Sequence, residues 1–97
     1  QAVRLDPKYE VAYSVRGRVR EQLGDDKGAL ADLTWYVQMR PNKGTPLLLR
    51  GQLLTKMGDS VQGHRDLHRA IELFTKEADE EGVRLAREAL SVPTAPA

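Results

Sequence analysis

The chain has 97 residues, 40% apolar and 30% charged, which suits one small folded domain rather than a disordered segment. Lys and Arg number 15 against 14 Asp and Glu, and a formal charge of +1 is too balanced for a general nucleic-acid or membrane surface. Cysteine is absent, which excludes disulfides and thiolate metal sites, and the longest aliphatic run, Leu47-Leu48-Leu49, is far too short to span a bilayer. No compartment is marked; the chain reads as soluble, with the cytoplasm slightly favoured.

Gln1 to Pro7 (QAVRLDP) matches Trp35 to Pro41 (WYVQMRP) in position and reads as the tail of a helix that begins upstream. Asp6-Pro7 ends that segment, because a residue before proline avoids the helical region, and Pro7 can open the next. A helix is expected from Lys8 to Leu23, with Val11, Val15 and Val19 on one stripe. Gly24 stops it, and Asp25 or Asp26 caps a second helix running to about Arg40, before Pro41. Ala29, Leu30, Leu33, Tyr36 and Val37 are its apolar positions. A third helix carries Pro46 in its first turn, where proline is tolerated, and stops at Gly58. Asp59 or Ser60 caps a fourth, with Leu67, Ala70, Ile71 and Leu73 inward. Asp79 to Leu90 (DEEGVRLAREAL) has an acidic start, later basic residues and a Val83, Ala86, Leu90 stripe, as a terminal covering helix should. Ser91 to Ala97 (SVPTAPA) is small, uncharged and proline-containing, the composition of a disordered tail or linker.

The chain repeats itself. RGRVREQLGDDKGALADL, Arg16 to Leu33, returns as RGQLLTKMGDSVQGHRDL, Arg50 to Leu67, at an offset of 34 residues. The same offset joins Pro7 to Pro41, Gly17 to Gly51, Gly24 to Gly58, Asp25 to Asp59, Asp32 to Asp66 and Leu33 to Leu67. Gly17 and Gly51 fall inside helices, where glycine costs roughly 1 kcal/mol against alanine, so close approach of the paired helices must compensate. Arg16 and Asp32 lie equally far from Gly24, and Arg50 and Asp66 equally far from Gly58. Equal distance from the turn of an antiparallel hairpin puts each pair at one height and predicts two ion pairs.

The 34-residue helix-turn-helix unit, with its small residue in each helix, Gly-Asp turn and closing proline, resembles the tetratricopeptide repeat. Gly17, Gly24, Ala29, Leu33 and Pro41 carry the pattern first, then Gly51, Gly58, Gly63, Leu67 and Ala70, within a resemblance spanning Gln1 to Phe74. Tyr36 departs from the usual alanine held by Ala2 and Ala70, Arg20 from the usual aromatic, and Thr75 from the closing proline. The resemblance implies an all-α fold of antiparallel helix-turn-helix repeats stacked as a right-handed α-solenoid. On that reading, residues 1–7 end a preceding repeat, 8–41 and 42–75 are repeats, 76–91 form a C-terminal capping helix, and 92–97 are a disordered tail or linker. A chain that starts part-way through a unit is expected to come from a longer array.

His64 and His68 have metal-ligand spacing, but the Arg-Asp-Leu between them lacks a catalytic glutamate and no third ligand is evident, so no metal or cofactor is expected. No acidic residues form a catalytic constellation, so the chain is not expected to be an enzyme. In the family, the first helix of each unit lines a concave groove that holds a peptide or helix of another protein. Mapped position by position, the resemblance assigns to that groove Val11, Ser14, Val15, Arg18 and Gln22, then Thr45, Leu48, Leu49, Gln52 and Lys56. Ser14 and Arg18 occupy the lead positions of the Lys-and-Asn clamp for C-terminal carboxylates, so an apolar segment with acidic residues fits better than that class of partner. Arg16, Arg18 and Arg20 fan out around a helix and cannot form one nucleic-acid strip. Trp35, if exposed, is an interaction anchor. The expected function is a non-catalytic protein-interaction module, a scaffold or adaptor. The alternatives are a regulatory or targeting domain of a larger enzyme or transport assembly, or self-association through the N-terminal face.

Overall fold

The computed structural model describes residues 7–91, with side chains from residue 12 onward. Of the repeat tail expected over residues 1–7, all but Pro7 lies outside the described residues, as do the tail over 92–97 and the side chain of Val11. Five helices follow one another: α1 (Pro7–Gln22), α2 (Asp26–Met39), α3 (Gly44–Lys56), α4 (Ser60–Lys76) and α5 (Glu80–Ser91). Each packs on its neighbour in sequence, and α3 also touches α5, so the fold is an all-α stack of hairpins. None of these helices is long and apolar enough to cross a membrane.

One turn is used three times. After α1, the Gly24 amide donates to the Glu21 carbonyl and the Asp25 amide to the Arg20 carbonyl, closing the helix. Gly58 and Asp59 do the same to Thr55 and Leu54, and Ala78 and Asp79 to Thr75 and Phe74. The first turn residue has positive φ each time: +84° at Gly24, +94° at Gly58 and +56° at Ala78. The aspartate that follows caps the next helix, its carboxylate accepting from the amides of Gly28, Gln62 and Gly82 at 3.0, 3.2 and 2.9 Å. Asp25 and Asp59, rather than Asp26 and Ser60, are therefore the caps. Asp79 is likewise a cap, and α5 begins one residue later.

Two apolar clusters hold the stack. Ala29 and Leu33 of α2 bury Leu53 of α3, with Leu30, Tyr36 and Leu49 packed around them. Leu47 and Leu48 of α3 meet Leu67, Ala70, Leu73 and Phe74 of α4 and Ala86 of α5. Both hairpins are clasped by a forked ion pair. Arg16 donates to Asp32 from Nε and Nη2 at 2.9 and 2.7 Å, and Arg50 to Asp66 at 2.6 and 2.9 Å. Arg20 adds a third contact to Asp32, at 3.4 Å.

The second hairpin has a further lock. Lys43 supplies no side-chain cap to α3; instead Glu77, beyond the end of α4, accepts from the Gly44 amide at 2.9 Å. Phe74 lies against both Gly44 and Gly82, where any Cβ would overlap its buried ring. The Val15 and Val19 stripe is 54% and 45% exposed, because α1 meets α2 through the Gly17 face, against Ala29, Asp32 and Leu33.

Candidate functional site

A recess of about 230 Å³ opens between α1 and α3. Arg18, Glu21 and Gln22 line it from α1, Leu49 and Gln52 from α3, and Leu33 of α2 lies beneath. The pairing of α1 and α3 across α2 follows from the repeat: α2 buries Leu53 of α3 on one side and packs on Gly17 of α1 on the other. Of the ten groove positions, Arg18, Gln22, Leu49 and Gln52 thus converge on one space.

The other six divide. Val11 lies outside the described side chains; Ser14, Val15 and Thr45 do not line the recess. Leu48 is 6% exposed within the α3–α4–α5 core, so it is a packing residue and not a groove residue, because α5 covers that side of α3. Lys56 is spoken for: its ammonium sits 3.4 Å from Glu21 and 3.6 Å from Asp26, tying α3 to the α1–α2 turn. Arg18, by contrast, is exposed and has no ion-pair or hydrogen-bond partner among the described residues. Among the described residues, the recess therefore offers an uncommitted guanidinium, the Lys56-paired Glu21 carboxylate, two amides and an apolar wall. Leu33 and Glu21 were not assigned to the groove; Leu33 carried only a core signal, and Glu21 sits one residue off the expected stripe.

A larger recess, about 680 Å³, runs along α5 over Phe74, Ala78 and Val83. Its rim charges are largely spent within the helix, since Arg84 pairs with both Glu81 and Glu88. Hydrogen bonding to Glu81, then the charges of Glu81 and Glu88, hold the Arg84 guanidinium protonated even above its usual range. Trp35 is 43% exposed and stacks on Tyr13 at 6.1 Å, and Arg16 lies over the Tyr13 ring at 5.2 Å. It is partly packed and partly open. His68 is exposed, the Nε2 of His64 is buried without a hydrogen-bond partner, and no group of His, Asp and Glu able to hold a metal occurs among the described residues.

The chain is 33% identical over 89 residues to tetratricopeptide repeat protein 36 of Danio rerio, a match covering 88% of the chain and 48% of that protein. This likeness falls on a chain whose 34-residue offset the helices reproduce. The chain is built of tetratricopeptide-type repeats. It is also 33% identical over 79 residues to DnaJ homolog subfamily C member 3 of Homo sapiens, covering 81% of the chain and 16% of that protein. The tetratricopeptide-type chain thus spans about half the length of the first relative and a smaller part of the second. No family model and no solved structure matches it.

Proposed function

We propose that the chain is a non-catalytic protein-interaction module that holds an extended peptide segment of a partner between α1 and α3. The observation that supports this most directly is the recess where Arg18, Gln22, Leu49 and Gln52 converge while Arg18 has no partner among the described residues. An uncommitted guanidinium beside an apolar wall suits a carboxylate flanked by an apolar side chain. The fork supplies charge-assisted hydrogen bonds, and the two glutamine amides can satisfy the peptide backbone. Ser14, Val15 and Thr45 extend the same face toward the ends of the segment, and the exposed edge of Trp35 is a second contact outside it. Scaffold and adaptor roles, or service as the targeting domain of a larger assembly, would use the same groove.

The test is selection of peptides from a random display library on the 97-residue chain, followed by titration of the winners against wild type and Arg18→Glu. Winners should carry an acidic residue next to an apolar one and lose roughly 10- to 100-fold in affinity against Arg18→Glu, the worth of about 1.5–3 kcal/mol for a charge-assisted bond. Arg18 is exposed and without a partner among the described residues, so the variant should melt like wild type. Winners that bind both proteins equally would remove the groove assignment.

A further inference from the structure

The recess between α1 and α3 carries an acid as well as a base. Glu21 lines it three residues along α1 from Arg18, so the two charges stand on one helix face, about 4.5 Å apart along the axis. Among the described residues they do not pair with each other; Glu21 is held by Lys56 of α3, at 3.4 Å. That hold is loose. The Lys56 side chain is 51% exposed, and a long bond between exposed side chains contributes little. Lys56 also has a second claimant. Asp26 Oδ1 lies 3.6 Å from the same ammonium, and it is buried without a hydrogen-bond partner among the described residues. A buried carboxylate oxygen left unbonded is costly, so a small swing of Lys56 toward Asp26 completes a bond and releases Glu21. Freeing Glu21 is thereby offset within the protein.

We propose, resting on the peptide-binding reading of this groove, that it takes a segment with an acidic and a basic side chain two residues apart and an apolar one between them. The acid meets Arg18 and the base meets Glu21, and Lys56 passes from Glu21 to Asp26 as the base arrives. The spacing comes from extended backbone. Side chains of a strand-like segment alternate between two sides, and those on one side recur every 6.6–7 Å or about that. Two residues apart, the acid and the base both face α1, within reach of the long Arg18 and Glu21 side chains. The residue between them faces α3, where half-buried Leu49 stands with Leu33 beneath. A run of acids is the wrong ligand, because its second carboxylate would meet Glu21. The groove on this account selects a pair of opposite charges, not net negative charge.

The experiment takes an Arg18-dependent peptide from the display selection and sets the residue two places from its critical acid, on each side in turn, to Lys, Ala or Glu. Titration against wild type should rank Lys over Ala by roughly three- to tenfold on one side, with Glu below Ala. Glu21→Gln should erase that preference and Glu21→Lys should invert it, while the acid keeps its dependence on Arg18. Glu21→Gln alters a partly exposed pair, so it should melt within about 2 °C of wild type. Asp26 does not line the recess, yet Asp26→Asn should cut the advantage of Lys by about half or more, because Lys56 then stays on Glu21. An Arg18-dependent peptide that binds equally with Lys, Ala or Glu overturns the charge-pair proposal and leaves the groove in place. A Lys preference that survives Glu21→Gln, or that Asp26→Asn leaves whole, overturns it too. Only a selection with no Arg18-dependent peptide removes the groove itself.

Discussion

At the scale of single residues, the Arg–Asp pairs show how a mark that looks like a binding signature serves folding. Asp66 is buried, and the Arg50 fork keeps its charge from being stranded in the hairpin. Removing either partner should destabilise, and a double-mutant cycle of Arg50→Ala and Asp66→Ala in urea should return a coupling of about 1–3 kcal/mol. A cycle closing at zero would mean the fork is geometry without energy. The Arg16–Asp32 pair should couple more weakly, since the Arg16 side chain is 54% exposed and Arg20 stands by as a second donor. Hydrogen bonding to Asp32, and then its charge, push Arg16 further above its ordinary range, so it stays charged throughout the accessible pH scale. These pairs were legible because equal distance from a glycine turn is a sequence property. The third turn was not, because Ala78 takes a positive φ that an alanine rarely adopts and that no composition rule announces. Ala78→Gly should therefore stabilise the protein by about 1 kcal/mol, read as a higher urea midpoint at unchanged slope. A lower midpoint would show that the methyl group is worth more than the strain.

At the scale of elements, the paired helices approach each other unequally, and one repeated glycine has two meanings. A Cβ on Gly51 would stand 2.8 Å from Leu67 Cγ and 2.9 Å from the Gly63 carbonyl oxygen, a backbone atom that cannot step aside. On Gly17 it would stand 3.3 Å from Asp32 Cβ and Leu33 Cγ, contacts that a shift of a few tenths of an ångström relieves. The second hairpin comes closer because Gly63 replaces Ala29 at the facing position. Gly51→Ala should cost about 1–3 kcal/mol through overpacking, whereas at Gly17 the gain in helix propensity, about 1 kcal/mol, should leave the same change near neutral. Thermal melts of the two variants decide it, and equal losses would put the cause in the helix backbone itself. The helices were readable from their caps and stops, and the match at Asp25, Gly24, Asp59 and Gly58 is close. What a first helix faces was less readable. Val19 stands 34 residues before Leu53, yet Val19 is 45% exposed and Leu53 is buried, because Leu53 has α2 against it.

At the scale of the whole molecule, the two ends of the stack are built differently, and that asymmetry orders their stability. Toward its C-terminal end, α5 lays Ala86 into the main cluster and packs Val83, Leu85, Ala89 and Leu90 around it. The hairpin it closes is also fastened by Glu77 on the Gly44 amide and by Phe74 between two glycines. The Glu77 and Phe74 links to Gly44 cross between elements far apart in sequence, which is why the sequence showed a covering helix but not how tightly it is fixed. At the other end, α1 leaves its stripe open and is held to α2 by one hairpin face, by Arg16 and Arg20 on Asp32 and by the Tyr13–Trp35 stack, and to α3 by Lys56 on Glu21. A solenoid melts as a chain of neighbour contacts, so opening should begin at α1 and reach α3 and α4 last. Ending the chain after Lys76 should thus be far more damaging than polar substitution on α1. It uncovers Leu47, Leu48 and Phe74 together and removes the Glu77 cap, a loss of several kcal/mol at about 25 cal/mol per Å² of apolar surface. Calorimetry should show the truncated chain without a cooperative transition, or with one lowered by 10 °C or more at roughly 4–8 °C per kcal/mol. Hydrogen exchange on the intact chain gives the complementary reading: the slowest amides should lie in α3 and α4. If the slowest amides were instead in α1, the ranking of the two ends would be reversed.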